Sequence, residues 1–171
     1  MSENEITFQV HGVPAPGGSK RGFFSPKTKR VIITEDCKRS KPWRALVSSA
    51  ALDAHQGEPL DGPLRLEVEF VLPRPKHHTG ARGLKASAPH FHVIAPDSTK
   101  LLRSTEDALK GICWHDDAQV AVQSVSKRYG PRPGAVVRVS RLVEPREREQ
   151  SGEHGPLFAG ALTCGGRRVE R

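Results

Sequence analysis

Stretches of this chain that alternate apolar and polar residues with a period of two are interleaved with stretches whose apolar residues recur at helical spacing. Ile6, Phe8 and Val10 alternate and then meet HGVPAPGGSKRG, a Pro/Gly run that predicts a strand breaking into a basic loop. FFSPKTKRVII follows, two short apolar pieces around Ser25-Pro26-Lys27, which predicts a hairpin with Lys27, Lys29 and Arg30 at its tip. From about Pro42 to His55, Trp43, Leu46, Val47, Ala50, Ala51 and Ala54 fall on one helical face, with Ser40 available as a cap and Pro42 tolerated in the first turn. Leu64, Leu66, Val68, Phe70 and Leu72 alternate with Arg65, Glu67 and Glu69, a strand with one buried and one wet face, ended by PRPK. Residues 76–90 show no period and read as a mobile loop on the functional side. After Pro96, Asp97 or Ser98 can cap a second helix whose stripe is Leu101, Leu102, Thr105, Ala108, Leu109 and Ile112, with Gly111 near its stop. AQVAVQSVSKRY and, after GPRPG, AVVRVSRL read as two β-segments joined by a Pro/Gly turn.

The order β, short β, α, β, α, β, β predicts an α+β domain with a mixed or antiparallel sheet and two main helices, not an alternating doubly wound one. A length of 171 residues suits one domain, and a 36% hydrophobic content keeps its core modest. No apolar run approaches a membrane span, and the opening MSENEITF lacks the basic and apolar regions of a secretory signal, so no membrane partner and a cytoplasmic location are expected. Cys37, Cys113 and Cys164 are odd in number and widely spaced, which excludes a closed disulfide framework. His90-x-His92 and Cys113-x-His115 leave a Cys/His zinc site as an alternative, weighed against solvated histidines beside a polyanion.

The charge is unevenly placed. Residues 144–171 carry five basic and five acidic side chains, so the net +8 belongs entirely to residues 1–143. The tail mixes charge, Gly and Ser with one short apolar patch, and is expected to be a flexible, charge-neutral extension of a domain spanning 1–143. Within that basic body, Asp97, Glu106, Asp107, Asp116 and Asp117 crowd into 21 residues. Basic side chains hold a phosphate backbone, and oxygen ligands hold Mg²⁺, so carboxylates on a basic surface suit metal-assisted phosphodiester hydrolysis. The five converge if the strand after Asp117 lies beside the first turns of the second helix. A plain reading coexists: Asp97 as an N-cap, Arg103–Asp107 and Glu106–Lys110 as surface pairs, Asp116-Asp117 as a turn.

The stretch PDSTKLLRSTEDALKGICWHDDAQV resembles the signature of the RusA family of Holliday-junction resolvases, roughly P-D-x-D-N-x-x-K, D-A-L, then D-D-x-Q-V and a strand. The likeness extends over about residues 5–143, through a G-x-P before the basic loop and a K-x-Y late in the strand after the aspartate pair. It implies a homodimer that cuts four-way DNA junctions symmetrically with Mg²⁺ or Mn²⁺, of a kind commonly encoded by phages or prophages and serving DNA recombination and repair. Asp97 matches the first motif aspartate, Asp107 that of D-A-L, and Asp116 and Asp117 the closing pair. Thr99 stands where a second metal-binding aspartate is expected, Lys100 where asparagine is expected, and Arg103 where lysine is expected. The resemblance thus makes Asp97, Asp116, Asp117 and Arg103 catalytic candidates. The metal set is Asp97, Asp116 and Asp117 with Asp107 or Glu106. Glu106, seven residues past Thr99 and only about 20° around the helix from it, is the expected replacement for the missing carboxylate. Arg103 stays protonated, so it can clamp a phosphate or stabilise developing charge but cannot shuttle a proton.

Lys20, Arg21, Lys27, Lys29, Arg30, Lys76, Arg82 and Lys85 on Pro/Gly-rich loops, with Lys100, Lys127 and Arg128, are the expected phosphate contacts. Two other functions fit the same residues: a non-catalytic DNA-binding module degenerate at Thr99, and a nuclease for flaps or other branched nucleic acid.

Overall fold

A computed structural model describes residues 5–17, 20–35 and 37–143. The expected tail, 144–171, lies outside the described residues, as do the side chains of Lys20 and Arg21. Eight strands and two helices follow in the order β1 (Glu5–His11), β2 (Lys20–Ser25), β3 (Arg30–Glu35), α1 (Ser40–Ala54), β4 (Leu64–Pro73), β5 (Thr79–Gly80), β6 (Gly83–Leu84), α2 (Ser98–Leu109), β7 (Val120–Gly130) and β8 (Gly134–Arg141). The domain is α+β with a mixed four-stranded sheet, ordered β1-β8-β4-β7.

Both β1 and β4 run antiparallel to β8, and β7 runs parallel to β4. The Pro/Gly turn at 131–133 therefore does not close a hairpin between its two strands, because β8 crosses to the far side of β4. The parallel pair instead requires the chain to return along the sheet, and α2 is that crossover. Alternation along β1, β4 and β8 places Phe8, Leu66, Val68, Phe70, Val137 and Val139 in the core. The opposite face is wet, and Arg138 bridges Glu5 at 3.3 Å and Glu67 at 3.9 Å across it.

The two helices cover the apolar face and meet through small and hydroxyl side chains. Trp43 Nε1 donates to Thr105 Oγ1 at 3.3 Å, Thr105 Oγ1 donates back to the Leu101 carbonyl at 3.1 Å, and Ser48 Oγ donates to the Ala108 carbonyl at 2.9 Å. These buried hydroxyls are satisfied, which lets Ser40, Ser104 and Thr105 stay fully buried. Residues β2 and β3 form a separate two-stranded ribbon whose turn at 26–29 carries Lys27 and Lys29. Residues 76–90, expected as an aperiodic loop, contain a single 3₁₀ turn at Lys76–His78 and the β5–β6 hairpin, tied by Arg74 Nη1 to the Pro89 carbonyl at 2.8 Å.

Candidate metal and DNA-binding site

Helix α2 begins where Pro96 and Asp97 leave an extended segment. Asp97 occupies the N-cap position, but its side chain makes no capping bond and instead faces Lys100 at 3.5 Å. The helix ends at Leu109, a turn earlier than its stripe suggests. Gly111 takes φ +80° and donates to the Trp114 carbonyl at 2.7 Å, folding 110–114 into a tight reversal that leaves Ile112 outside the helix. That reversal delivers Asp116 and Asp117 beside the last turn of α2.

β7 then runs back along the helix. Gln123 Nε2 donates to Glu106 Oε1 at 2.5 Å, and four residues on, Lys127 Nζ donates to the carbonyls of Ile94 at 3.1 Å and Pro96 at 2.7 Å. The strand thus lies beside α2 as expected, but antiparallel to it, so its entrance meets the helix's last turn and not its first. Twelve residues of helix span about 18 Å, and Asp97 stands at the other end of that length from Asp116 and Asp117. The five carboxylates do not form one cluster: among the described residues no group of three His, Cys, Asp or Glu side chains could hold a metal ion. The His90, His92, Cys113 and His115 set is likewise not brought together. Cys113 is fully buried with its thiol pushed up to about 12 by burial, and His115 faces Asp61 at 3.5 Å.

Each carboxylate has its own setting. Asp116 accepts from the Ala118 amide at 2.9 Å and from Lys110 Nζ at 2.9 Å, and both hold its carboxyl below the usual range. Asp107 pairs with Arg44 of α1 at 3.4 Å, in place of the Arg103 partner expected from the i,i+4 spacing. Asp117 Oδ1 accepts from the indole of the fully buried Trp114 at 2.9 Å. Glu106 is half-buried, and burial, then Asp117, then Asp107 push its carboxyl above the ordinary value, against the opposing pull of Gln123 and Arg103. Of the island's carboxylates, Asp117 acts most on Glu106, ahead of Asp107. Thr99 is exposed in the first turn of α2, about 10 Å along the axis from Glu106.

Two features missed in the sequence hold this corner. Gln119 Oε1 accepts from the amides of His115 and Asp116, both at 2.9 Å, while its Nε2 donates to the Leu60 carbonyl at 3.0 Å. Asp116 and Gln119 form a capping box, and the D-x-x-Q spacing was its available signal. Gln123 orients Glu106, and nothing in its local sequence marks it.

The cations divide into free and committed. Lys27, Lys29, Arg30, Lys76, Arg82 and Lys85 are exposed on the ribbon tip and the 76–90 segment. Lys127 is committed to the turn before α2, and Arg128 is paired with Glu69. Lys100 is exposed beside Asp97.

The donors at the acidic corner are all oxygens. Carboxylates also gather at the negative end of the α2 dipole, where a helix favours cations and where its last turn carries no basic residue.

The domain is thus a small α+β fold with a mixed sheet, a basic ribbon and an acidic helix end. The family model for endodeoxyribonuclease RusA matches residues 14–140, and the chain belongs to that family. It is also similar to the uncharacterized protein YqaN of Bacillus subtilis (strain 168), 28% identical over 140 residues that cover 80% of this chain and 96% of the relative. No helix among the described residues is long and apolar enough to cross a membrane.

Proposed function

We propose that this protein is a Mg²⁺- or Mn²⁺-dependent endonuclease that resolves Holliday junctions, acting as a cytoplasmic homodimer in DNA recombination and repair. The observation that carries this reading is the match of residues 14–140 to the endodeoxyribonuclease RusA family, together with the carboxylates that the 110–116 reversal brings to the last turn of α2, a helix end that favours a cation. Glu106 and Asp117 would hold the ion, Trp114 and Gln123 fix the two carboxylates, and Asp116 with Gln119 sets the turn that presents Asp117. When bound, the ion supplies Lewis-acid polarisation of the scissile phosphate and lowers the pKa of coordinated water. Arg103, exposed and acting on Glu106 from the same helix, would stabilise charge developing on phosphate oxygens. The exposed lysines and arginines of the β2–β3 tip and of 76–85 grip the backbone without reading bases, so recognition is of junction shape. Two symmetric strands need two sites in matching geometry, which a two-fold dimer provides.

A second reading, a DNA-binding module without cleavage, is favoured by Thr99 and by the lack of a three-ligand group among the described residues. One experiment separates them. Labelled four-way junction, flap and linear duplex are incubated with Mg²⁺, Mn²⁺ or EDTA, beside Glu106→Gln, Asp117→Asn and Asp97→Asn. Symmetric junction cleavage lost in Glu106→Gln and Asp117→Asn supports the enzyme. Junction binding with no cleavage under any metal condition supports the binding module, and cleavage of flap alone defeats both.

A further inference from the structure

Among the described residues, the β2–β3 ribbon pairs with no other strand, and the whole of its tip, residues 26–31, is exposed. The turn is shaped locally: Ser25 Oγ accepts from the Thr28 amide at 3.4 Å, and Lys29 takes φ +50°. Two residues before the turn proper, Phe24 lies directly opposite Val31 in the antiparallel ladder, so both side chains stand on one face of the ribbon. Phe24 is 62% exposed and Val31 65%. Gly22 shares that face, and a Cβ added to it would lie 3.3 Å from Val31 Cγ1, so Val31 occupies the space that a side chain at 22 would take. The ribbon thus carries an aromatic and an aliphatic side chain, paired with each other and covered by nothing else described in the fold.

The charge around this pair says what covers it. From Lys20 to Thr34 the sequence holds five cations and no acid, and Lys27, Lys29 and Arg30 are exposed beside the apolar pair. A second copy docked face to face would set two such tips against each other, like charge on like, whereas a polyanion complements them. The polyanion must also offer Phe24 an apolar surface. In DNA the broad apolar surfaces are the faces of the bases, which continuous duplex stacks against one another and a branch point leaves open.

We propose that the Phe24–Val31 face of the ribbon stacks on a base pair left open at the branch point of a DNA junction, while Lys27, Lys29 and Arg30 hold the flanking phosphates. The inference rests on the junction-resolving reading and supplies the residue by which that reading separates a junction from continuous duplex. Phosphate contacts are alike on both and cannot discriminate between them. A ring seated on an open base face gains affinity at once, whereas in duplex it must first unstack a step. Phe24 has no hydrogen-bonding group, so the contact selects branch shape and not sequence.

The test measures binding of the full chain to a labelled four-way junction and to linear duplex of the same arm sequence, by fluorescence anisotropy in EDTA so that the DNA stays intact. Phe24→Ala should raise the junction Kd about tenfold and the duplex Kd less than about twofold, with the salt dependence unchanged, and Phe24→Trp should restore junction affinity. Lys29→Ala should instead weaken both DNAs alike and lower the slope of log K against log salt by about 0.9. Equal losses on junction and duplex in Phe24→Ala place the ribbon along a groove and overturn the branch-point contact. Unchanged junction affinity in that variant overturns it too, as does a loss that Phe24→Trp fails to restore, which marks a structural effect. A lower sedimentation coefficient for Phe24→Ala without DNA makes a second copy the occupant and equally overturns the contact. A wild type with no preference for the junction over duplex overturns the junction-resolving reading itself, and is seen before any variant is made.

Discussion

Lys127→Met separates a structural from a DNA-binding role for a residue whose sequence position suits either. The Lys127 ammonium, partly buried, donates to the Ile94 and Pro96 carbonyls at 3.1 and 2.7 Å, pinning the turn that enters α2 onto β7. A hydrogen bond involving a charged group contributes about 1.5–3 kcal/mol, and here one ammonium, already partly desolvated, serves both acceptors. Methionine keeps the stem and removes both bonds, leaving two carbonyls short of a donor, so a loss of about 2–3 kcal/mol is expected. For a domain of this size that corresponds to roughly 6–12 °C in Tm. Thermal and urea unfolding followed by circular dichroism read the loss directly. The dependence of junction affinity on salt reads the alternative, since removing one phosphate contact lowers the slope of log K against log salt by about 0.9. A variant with stability within about 1 kcal/mol of wild type and a slope lowered by that amount would refute the structural role.

Three further outcomes are expected. Glu106→Gln keeps the acceptor for Gln123 but removes a charge whose folded pKa is raised, so the wild type loses stability as pH rises from the ordinary carboxylate range through that raised value. Without metal, the variant should therefore gain about 0.5–1 kcal/mol relative to wild type at pH 8 but not at pH 4, and Mg²⁺ should stabilise only the wild type; equal Mg²⁺ stabilisation of both sinks the assignment. Cys113, fully buried with its thiol pushed up to about 12, should stay unmodified by iodoacetamide at pH 8 in the native state, as mass mapping will show; labelling at the rate of a free thiol contradicts its placement. Gly134→Ala drives a Cβ into the Val10 carbonyl where β1 pairs with β8, and should cost about 3 kcal/mol or more, read by urea unfolding; an unperturbed midpoint would count against that register.

The elements were legible where burial acts on one strand or helix at a time. Leu64 to Leu72 declare their inner face by alternation alone, and Trp43, Val47 and Ala51 declare α1 by a stripe. Neighbour relations were not legible. The Pro/Gly turn at 131–133 has the chemistry of a hairpin, yet β8 leaves β7 and inserts between β1 and β4, because β4 is apolar enough to be paired on both edges while β7 is largely exposed. Lys127 and Arg128 read as surface cations because charge is visible in sequence and a carbonyl 31 residues away is not.

The same crossover explains why the acidic island was legible as a composition and not as a geometry. Parallel β4 and β7 force α2 to run against both, and the 110–116 reversal is held tight by Gly111, Trp114 and Gln119. The chain therefore enters β7 at the helix's negative end, and Asp97, first in the motif, is left about 18 Å away at its positive end. Carboxylates at a negative helix end repel both the dipole and one another, and here Lys110 pairs with Asp116 and Arg44 with Asp107. At the positive end a single carboxylate is already favoured by the dipole and faces Lys100, and a cavity it lines carries Arg39 as well.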